Sequence, residues 1–302
     1  MSLIALLLLL VSAFIHAGWN YIGKKKYPSI AFFFLANLIG MTFVLPVLII
    51  FWSRVPFILQ SVWVFPVMSG FFLAGYLAAL SGAYRAGDMS IAYPLARSLP
   101  VIFITLISII RGKGYEFEWR FVAGIVLVIA GCLLLPIKKF HNLSTRNYLN
   151  KCCLLAAVAS LGISGYTILD HEALGLLRKN PGRHFGIIDG TLIYLALEAV
   201  STSFWKGLFV IFSLRQRRKF IEVIKAYKGA AAITGIAMYL NYGIVLVSMN
   251  FVRDVSYVAA FRQLSIPIGA VLGMVFLKEP GYTPKIVGVL VIFSGLFLVG
   301  TG

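Results

Sequence analysis

Residues 84–100 read YRAGDMSIAYPLARSLP, and residues 249–267 read MNFVRDVSYVAAFRQLSIP. Each stretch is a short charged turn that runs into an apolar helix. Each helix carries an arginine well inside it, Arg97 or Arg262, followed within a few residues by Pro100 or Pro267. Arg85-Ala86-Gly87-Asp88-Met89-Ser90 is echoed by Val252-Arg253-Asp254-Val255-Ser256. The offset is 166 for the Asp88/Asp254 and Ser90/Ser256 pairs, 165 for Arg97/Arg262, and 164 for Gly124/Gly288 and Gly131/Gly295. A slow drift of this kind is what small deletions leave in one of two related copies.

Working outward, the surroundings are apolar. Of 302 residues 60% are hydrophobic and 12% charged, against about 25% charged in soluble domains. The apolar residues fall in runs of about 20, the length that crosses a bilayer as a helix. Ten spans are expected, near 2–22, 30–51, 63–84, 90–110, 119–136, 150–169, 187–213, 228–248, 255–276 and 283–300. The first is read as a retained membrane helix, because no basic residue precedes Leu3–Val11 and the run continues to Ile22. The expected fold is an all-α polytopic membrane protein of ten transmembrane helices in two five-helix repeats, 1–136 and 150–302, joined by 137–149. An odd number of spans per copy inverts the second copy in the membrane, a recurrent plan of secondary transporters with substrate held between the repeats.

The net charge of +17 lies in short connections and does not form a nucleic-acid module, so no nucleic-acid partner is expected. Odd-numbered connections hold most of the basic residues, Arg215–Lys228 prominently. The charge rule therefore places them in the cytoplasm and both termini outside. Cys132, Cys152 and Cys153 lack metal or redox spacing, and Gly112-Lys113-Gly114 is too short for a phosphate loop. No metal or cofactor is expected. Asn142-Leu143-Ser144 matches a glycosylation acceptor, a short and common pattern.

The five-plus-five spans, GDMSIAYPLARSLP before the fourth span, and the ending E-P-G-Y at 279–282 with Gly288 and Gly295 resemble the EamA-like branch of the drug/metabolite transporter superfamily. HAGWN at 16–20, followed by Lys24, resembles the first helix of one of its bacterial subgroups. The resemblance covers nearly the whole chain. It implies a secondary transporter or exporter of the bacterial inner membrane with a central cavity lined by spans 1, 3, 4, 6, 8 and 9. It also implies termini inside, opposite to the charge count. Glu279 and Pro280 match the family's acidic position. In the first half Glu116 and Glu118 stand in a shifted register.

A charge at the centre of a membrane helix costs about 2.5–3.5 kcal/mol on insertion scales, so such residues face a cavity or a partner. Arg97 and Arg262 each stand about 10 Å of rise from the start of their expected helices. In a core about 30 Å thick an inverted repeat sets them roughly 10 Å apart along the normal. Two guanidinium groups in one cavity suit a carboxylate or phosphate; an acid partner or snorkelling would explain them structurally. Tyr93 lies one turn before Arg97, and Gln263 adjoins Arg262. Ser12, His16, Asn20 and Gly23 form a polar stripe on the first span beside Trp19. Glu198 lies close to the middle of the seventh span, with Thr202 and Lys206 on its face. Glu198 is an arginine's counter-ion or a proton carrier, Lys206 snorkels to a helix end, and His16 is the second proton-coupling candidate. Tyr76, Tyr166, Tyr239 and Tyr242 complete the candidate substrate contacts, as aromatic walls do in small-molecule sites. No catalytic residues are expected. Asp170-His171-Glu172 reads as a solvated loop.

The favoured function is secondary transport, by alternating access, of a small metabolite with an anionic group. The lipid bilayer is its setting, and a homodimer is an allowed assembly. An intramembrane lipid-modifying enzyme, and a channel or scaffold, are the competing readings.

Overall fold

The structure is a computed structural model and describes residues 3–110, 118–141, 144–179, 186–249 and 261–301. Among these residues all regular structure is helical. Helix α1 spans Leu3–Lys26, α2 Ile30–Val44, α3 Val64–Ala86, α4 Met89–Ile110, α5 Trp119–Leu134 and α6 Lys151–Arg178. Helix α7 spans Ile187–Ile211, α8 Leu214–Ala226, α9 Lys228–Met249, α10 Ser265–Val271 and α11 Thr283–Thr301. A short helix, Pro46–Ile50, prolongs α2, and a π-helical turn, Leu272–Phe276, prolongs α10. Six stretches are long and apolar enough to cross a membrane, or seven if the bent pair α7–α8 is one span; Trp119–Leu134 and Ser265–Phe276 are apolar but shorter. Ile49, Ile110, Val126, Phe204 and Leu290 are exposed on the outside. Apolar helices with internally bonded backbone and an apolar exterior are what lipid demands. This is the make-up of a multi-pass membrane protein.

The helices pack in a repeating scheme. α3 lies along α6 and α1 along α9; α2 packs on α9 and α3 on α7; α4 packs on α6 and α1 on α10. α5 and α11 form a further close pair. A Cβ on Gly124 would meet the Gly295 carbonyl at 2.7 Å, and one on Gly295 would meet the Gly124 carbonyl at 2.6 Å. Gly131 and Gly288 repeat the arrangement at 2.7 and 2.9 Å. These two helices therefore run antiparallel with backbones in contact, an approach that only glycine allows.

The end of the bundle holding the α3–α4 turn is tied by polar contacts. Lys24 Nζ donates to the carbonyls of Tyr84 and Gly87, the latter at 2.6 Å. Lys285 Nζ, from a side chain only 1% exposed, binds Asp88 Oδ2 at 2.9 Å and Ser90 Oγ at 3.0 Å. Lys278 adopts φ 55°, a left-handed turn that ends the α10 segment. Glu279, the next residue, accepts the Met89 and Ser90 N–H groups at 2.6 and 2.8 Å. A carboxylate there satisfies free donors at the positive end of α4. At the same end the Tyr27 hydroxyl donates to Glu222 Oε2 at 2.5 Å. Burial, with that carboxylate, pushes the Tyr27 phenol up to about 12. Partial burial, with Arg85 and Arg215 nearby, holds Lys219 below its ordinary range.

Three local features differ from the sequence reading. α6 continues to Arg178, past the expected end at 169, because Ile163, Tyr166, Asp170, Ala173 and Leu177 keep helical spacing. Residues 214–226 form a helix bent 114° from α7, where a loop was expected; Ser213 caps it by accepting from Gln216 N–H. The ninth span is interrupted at Gln263–Leu264, so Arg262 stands at a break. Pro267 has no N–H to give the Gln263 carbonyl, which takes Ile266 N–H at 2.9 Å instead. The Arg253–Ser256 echo, Glu116, Gly112–Gly114 and Asn142–Leu143 lie outside the described residues.

Candidate functional site

A central cavity of about 650 Å³ is lined by both halves of the chain. Arg97, Pro100, Val101 and Ile104 come from α4, and Ile163, Tyr166, Thr167, Asp170 and Leu174 from α6. α7 adds Tyr194, Glu198, Thr202 and Lys206, α9 adds Met238, Tyr239 and Tyr242, and Arg262 and Gln263 come from the break before α10. Leu296, Val299 and Gly300 put one wall near the end of α11. The cavity thus lies toward the end where α1 begins and α11 finishes. The opposite end carries the Lys24, Lys285 and Glu279 contacts.

Arg97, Arg262, Tyr166, Tyr239, Tyr242, Gln263 and Glu198 are brought together in this cavity. Tyr76 sits behind the wall, its ring 6.4 Å from that of Tyr166. His16, Trp19 and Tyr93 form a separate aromatic group, with His16 5.1 Å from Trp19 and 6.1 Å from Tyr93. The Tyr93 ring rests where a Cβ on Gly269 would stand. Asn20 is engaged within the fold: it accepts from Tyr84 OH at 2.9 Å and donates to the His16 carbonyl. Ser12 donates to Asn241 Oδ1 at 2.6 Å.

The cavity wall has two electrical poles. Neither guanidinium forms an ion pair among the described residues. Arg97 Nε, Gln263 Oε1 and Thr202 Oγ1 are buried without a hydrogen-bond partner. Behind them His16 Nε2, Trp19 Nε1 and Tyr93 OH are also unpartnered. A buried unpaired polar atom costs about 1–3 kcal/mol, and a cluster of them asks for a ligand or water.

The acidic pole joins three helices. Ser69 Oγ of α3 lies 2.6 Å from Asp170 Oδ1 and 2.6 Å from Glu198 Oε1. Tyr194 OH donates to Asp170 Oδ1 at 2.8 Å. Glu198 is therefore not an arginine's counter-ion; its neighbours are Ser69 and Asp170. Asp170 reads as a loop residue in the sequence, and only the extension of α6 to Arg178 carries it inside. Lys206 does not snorkel. It is 0% exposed, and its Nζ donates to Asn37 Oδ1 at 3.0 Å, an oxygen that also accepts from Tyr239 OH at 3.3 Å. Asn37 in turn donates to Ser203 Oγ at 2.7 Å. The sequence offered no sign of this network, since its partners stand far apart in the chain. Among the described residues no three His, Cys, Asp or Glu side chains gather as metal ligands.

No family model matches the chain. No curated protein matches it either. A solved structure described as "Crystal structure of protein" is similar over 98% of this chain and 96% of that one, with a TM-score of 0.53 and 17% identity. That likeness is one of fold.

Proposed function

We propose that this protein is a secondary transporter of a small metabolite bearing a carboxylate or phosphate group, built from ten spans in two inverted five-span repeats of EamA-like type. The observation that carries the reading is the pair Arg97 and Arg262, one from each half, set in one cavity with no ion pair to either among the described residues. A guanidinium group held in a cavity outside an ion pair is suited to an anion that arrives and leaves. The repeat is supported by the packing. Moving each helix to its counterpart five spans on turns the α3–α6 contact into α9–α1, α2–α9 into α7–α3, and α4–α6 into α10–α1. The reciprocal Gly124/Gly295 and Gly131/Gly288 contacts exchange in the same way, across antiparallel helices.

The one-sided cavity and the tied opposite end fit one state of an alternating-access cycle, in which the repeats rock around a fixed site. The interrupted helix beside Arg262 fits a substrate wall, because irregular backbone is tolerated in a membrane where it lines a cavity. A bacterial inner membrane is the setting the motif resemblance implies. The test is reconstitution. Arg97→Ala should abolish saturable transport of a metabolite that stabilises the wild type, with the melting temperature of the unliganded protein kept. Unchanged saturable transport in Arg97→Ala sinks the reading.

A further inference from the structure

The acidic pole poses a counting problem. A serine hydroxyl carries one proton and accepts through its lone pairs. Ser69 Oγ makes two contacts of 2.6 Å, each with a carboxyl oxygen. It can donate in only one of them, so the other needs a hydrogen from the carboxyl. One of the two acids is therefore protonated in this arrangement. Tyr194 favours Glu198 as the protonated member, because a carboxylate oxygen accepts two hydrogens more readily than a carboxylic hydroxyl oxygen accepts one while donating another. The Tyr194 hydroxyl donates to the same Asp170 oxygen that faces Ser69. Asp170 Oδ1 thus accepts from Tyr194 and Ser69, and Glu198 Oε1–H donates to Ser69 Oγ.

We propose that Asp170, Ser69 and Glu198 form a proton-binding site in the cavity wall, with Glu198 holding the proton and Asp170, through Ser69, positioning it. Its role as the coupling site of transport rests on the function proposed above; the proton itself follows from the hydrogen-bond count. Asp170 and Glu198 both border the cavity, so the proton has a route to water. The other charged or titratable groups facing the site are Lys206 along α7, Tyr239 and Tyr242 from α9, Tyr166 on α6, and the two arginines across the cavity. None of them is hydrogen-bonded to Glu198 among the described contacts, so Ser69 is the group its proton is held against.

The experiment is infrared spectroscopy of the purified full-length protein in detergent, titrated in pH and transferred from H₂O to D₂O. The wild type should show a protonated-carboxyl band at pH 7 that Glu198→Gln removes and Asp170→Asn retains. Ser69→Ala should shift the band by removing its hydrogen-bond partner, and D₂O should shift it within the mixing time. If Glu198→Gln does not fold, the Asp170→Asn and Ser69→Ala spectra still decide. A band lost in Asp170→Asn, unmoved in Ser69→Ala, or absent from the wild type at pH 7 overturns the assignment. A band that resists exchange for hours makes the proton structural and overturns coupling. None of these readouts depends on Arg97, so the transport reading stands or falls by its own test.

Discussion

The two ends of this bundle handle polar groups in opposite ways. At the tied end Lys285 meets Asp88 and Ser90, Glu279 meets two N–H groups of α4, and Lys24 meets two carbonyls. Around the cavity Arg97 Nε, Gln263 Oε1 and Thr202 Oγ1 meet no partner among the described residues. Satisfied buried charges hold a structure together, whereas unsatisfied ones destabilise it and persist where a ligand uses them. The acidic pole is the exception, since Asp170 and Glu198 are both hydrogen-bonded to Ser69 and still border the cavity.

Substitutions can break that contrast. The largest stability effect is expected at the tied end. Lys285→Ala leaves Asp88 without its cation, and because Asp88 is about one-third exposed the loss should be about 3 kcal/mol, the lower edge of the range for a broken buried pair. A melting temperature equal to wild type would remove Lys285 from the structural set. Next comes Gly131→Leu, whose side chain would collide with the Gly288 carbonyl and Ile292. Overpacking of this kind costs about 1–3 kcal/mol, read as the melting temperature against Gly75→Ala, a site with nothing within 4 Å. Glu279→Gln weakens the cap of α4 and should cost about 1 kcal/mol. The smallest stability effect is expected at Arg97→Ala, within about 0.5 kcal/mol of wild type, because the guanidinium forms no ion pair among the described residues and borders the cavity.

Within the cavity a second comparison sets His16 against Glu198. His16 is packed between Trp19 and Tyr93 behind the wall, and Glu198 borders the cavity. His16→Gln should leave the pH profile of transport in place, and Glu198→Gln should flatten it. Protonation stabilises the neutral Glu198 contact with Ser69, so the wild-type dependence appears as a loss of the bound proton with rising pH. The opposite pattern, a flat profile in His16→Gln alone, would move the coupling group to α1.

Much of this was legible in the sequence for plain physical reasons. An arginine inside an apolar run must find a cavity or a partner, and this singled out Arg97 and Arg262. Gly124, Gly131, Gly288 and Gly295 were visible as a repeat, although spacing alone could not show that Gly124 meets Gly295 and not its counterpart Gly288. Asp170 was missed because three polar residues in a row read as a helix end; the Ile163–Tyr166–Asp170–Ala173–Leu177 stripe was the signal to follow. Lys206 was misread because a lysine near a helix end can snorkel, and only the fold brings Asn37 beside it. Asn20 and Trp19 share a face with His16, but which of them meets a ligand depends on neighbouring helices that spacing does not reveal.

The most direct test is a thermal-shift measurement on purified wild type, Arg97→Ala and Arg262→Ala against a panel of metabolite carboxylates and phosphates. The account predicts that at least one anion raises the wild-type melting temperature in a saturable way, and that either alanine removes the shift without lowering the unliganded value. Anion stabilisation that is the same in all three proteins would contradict it.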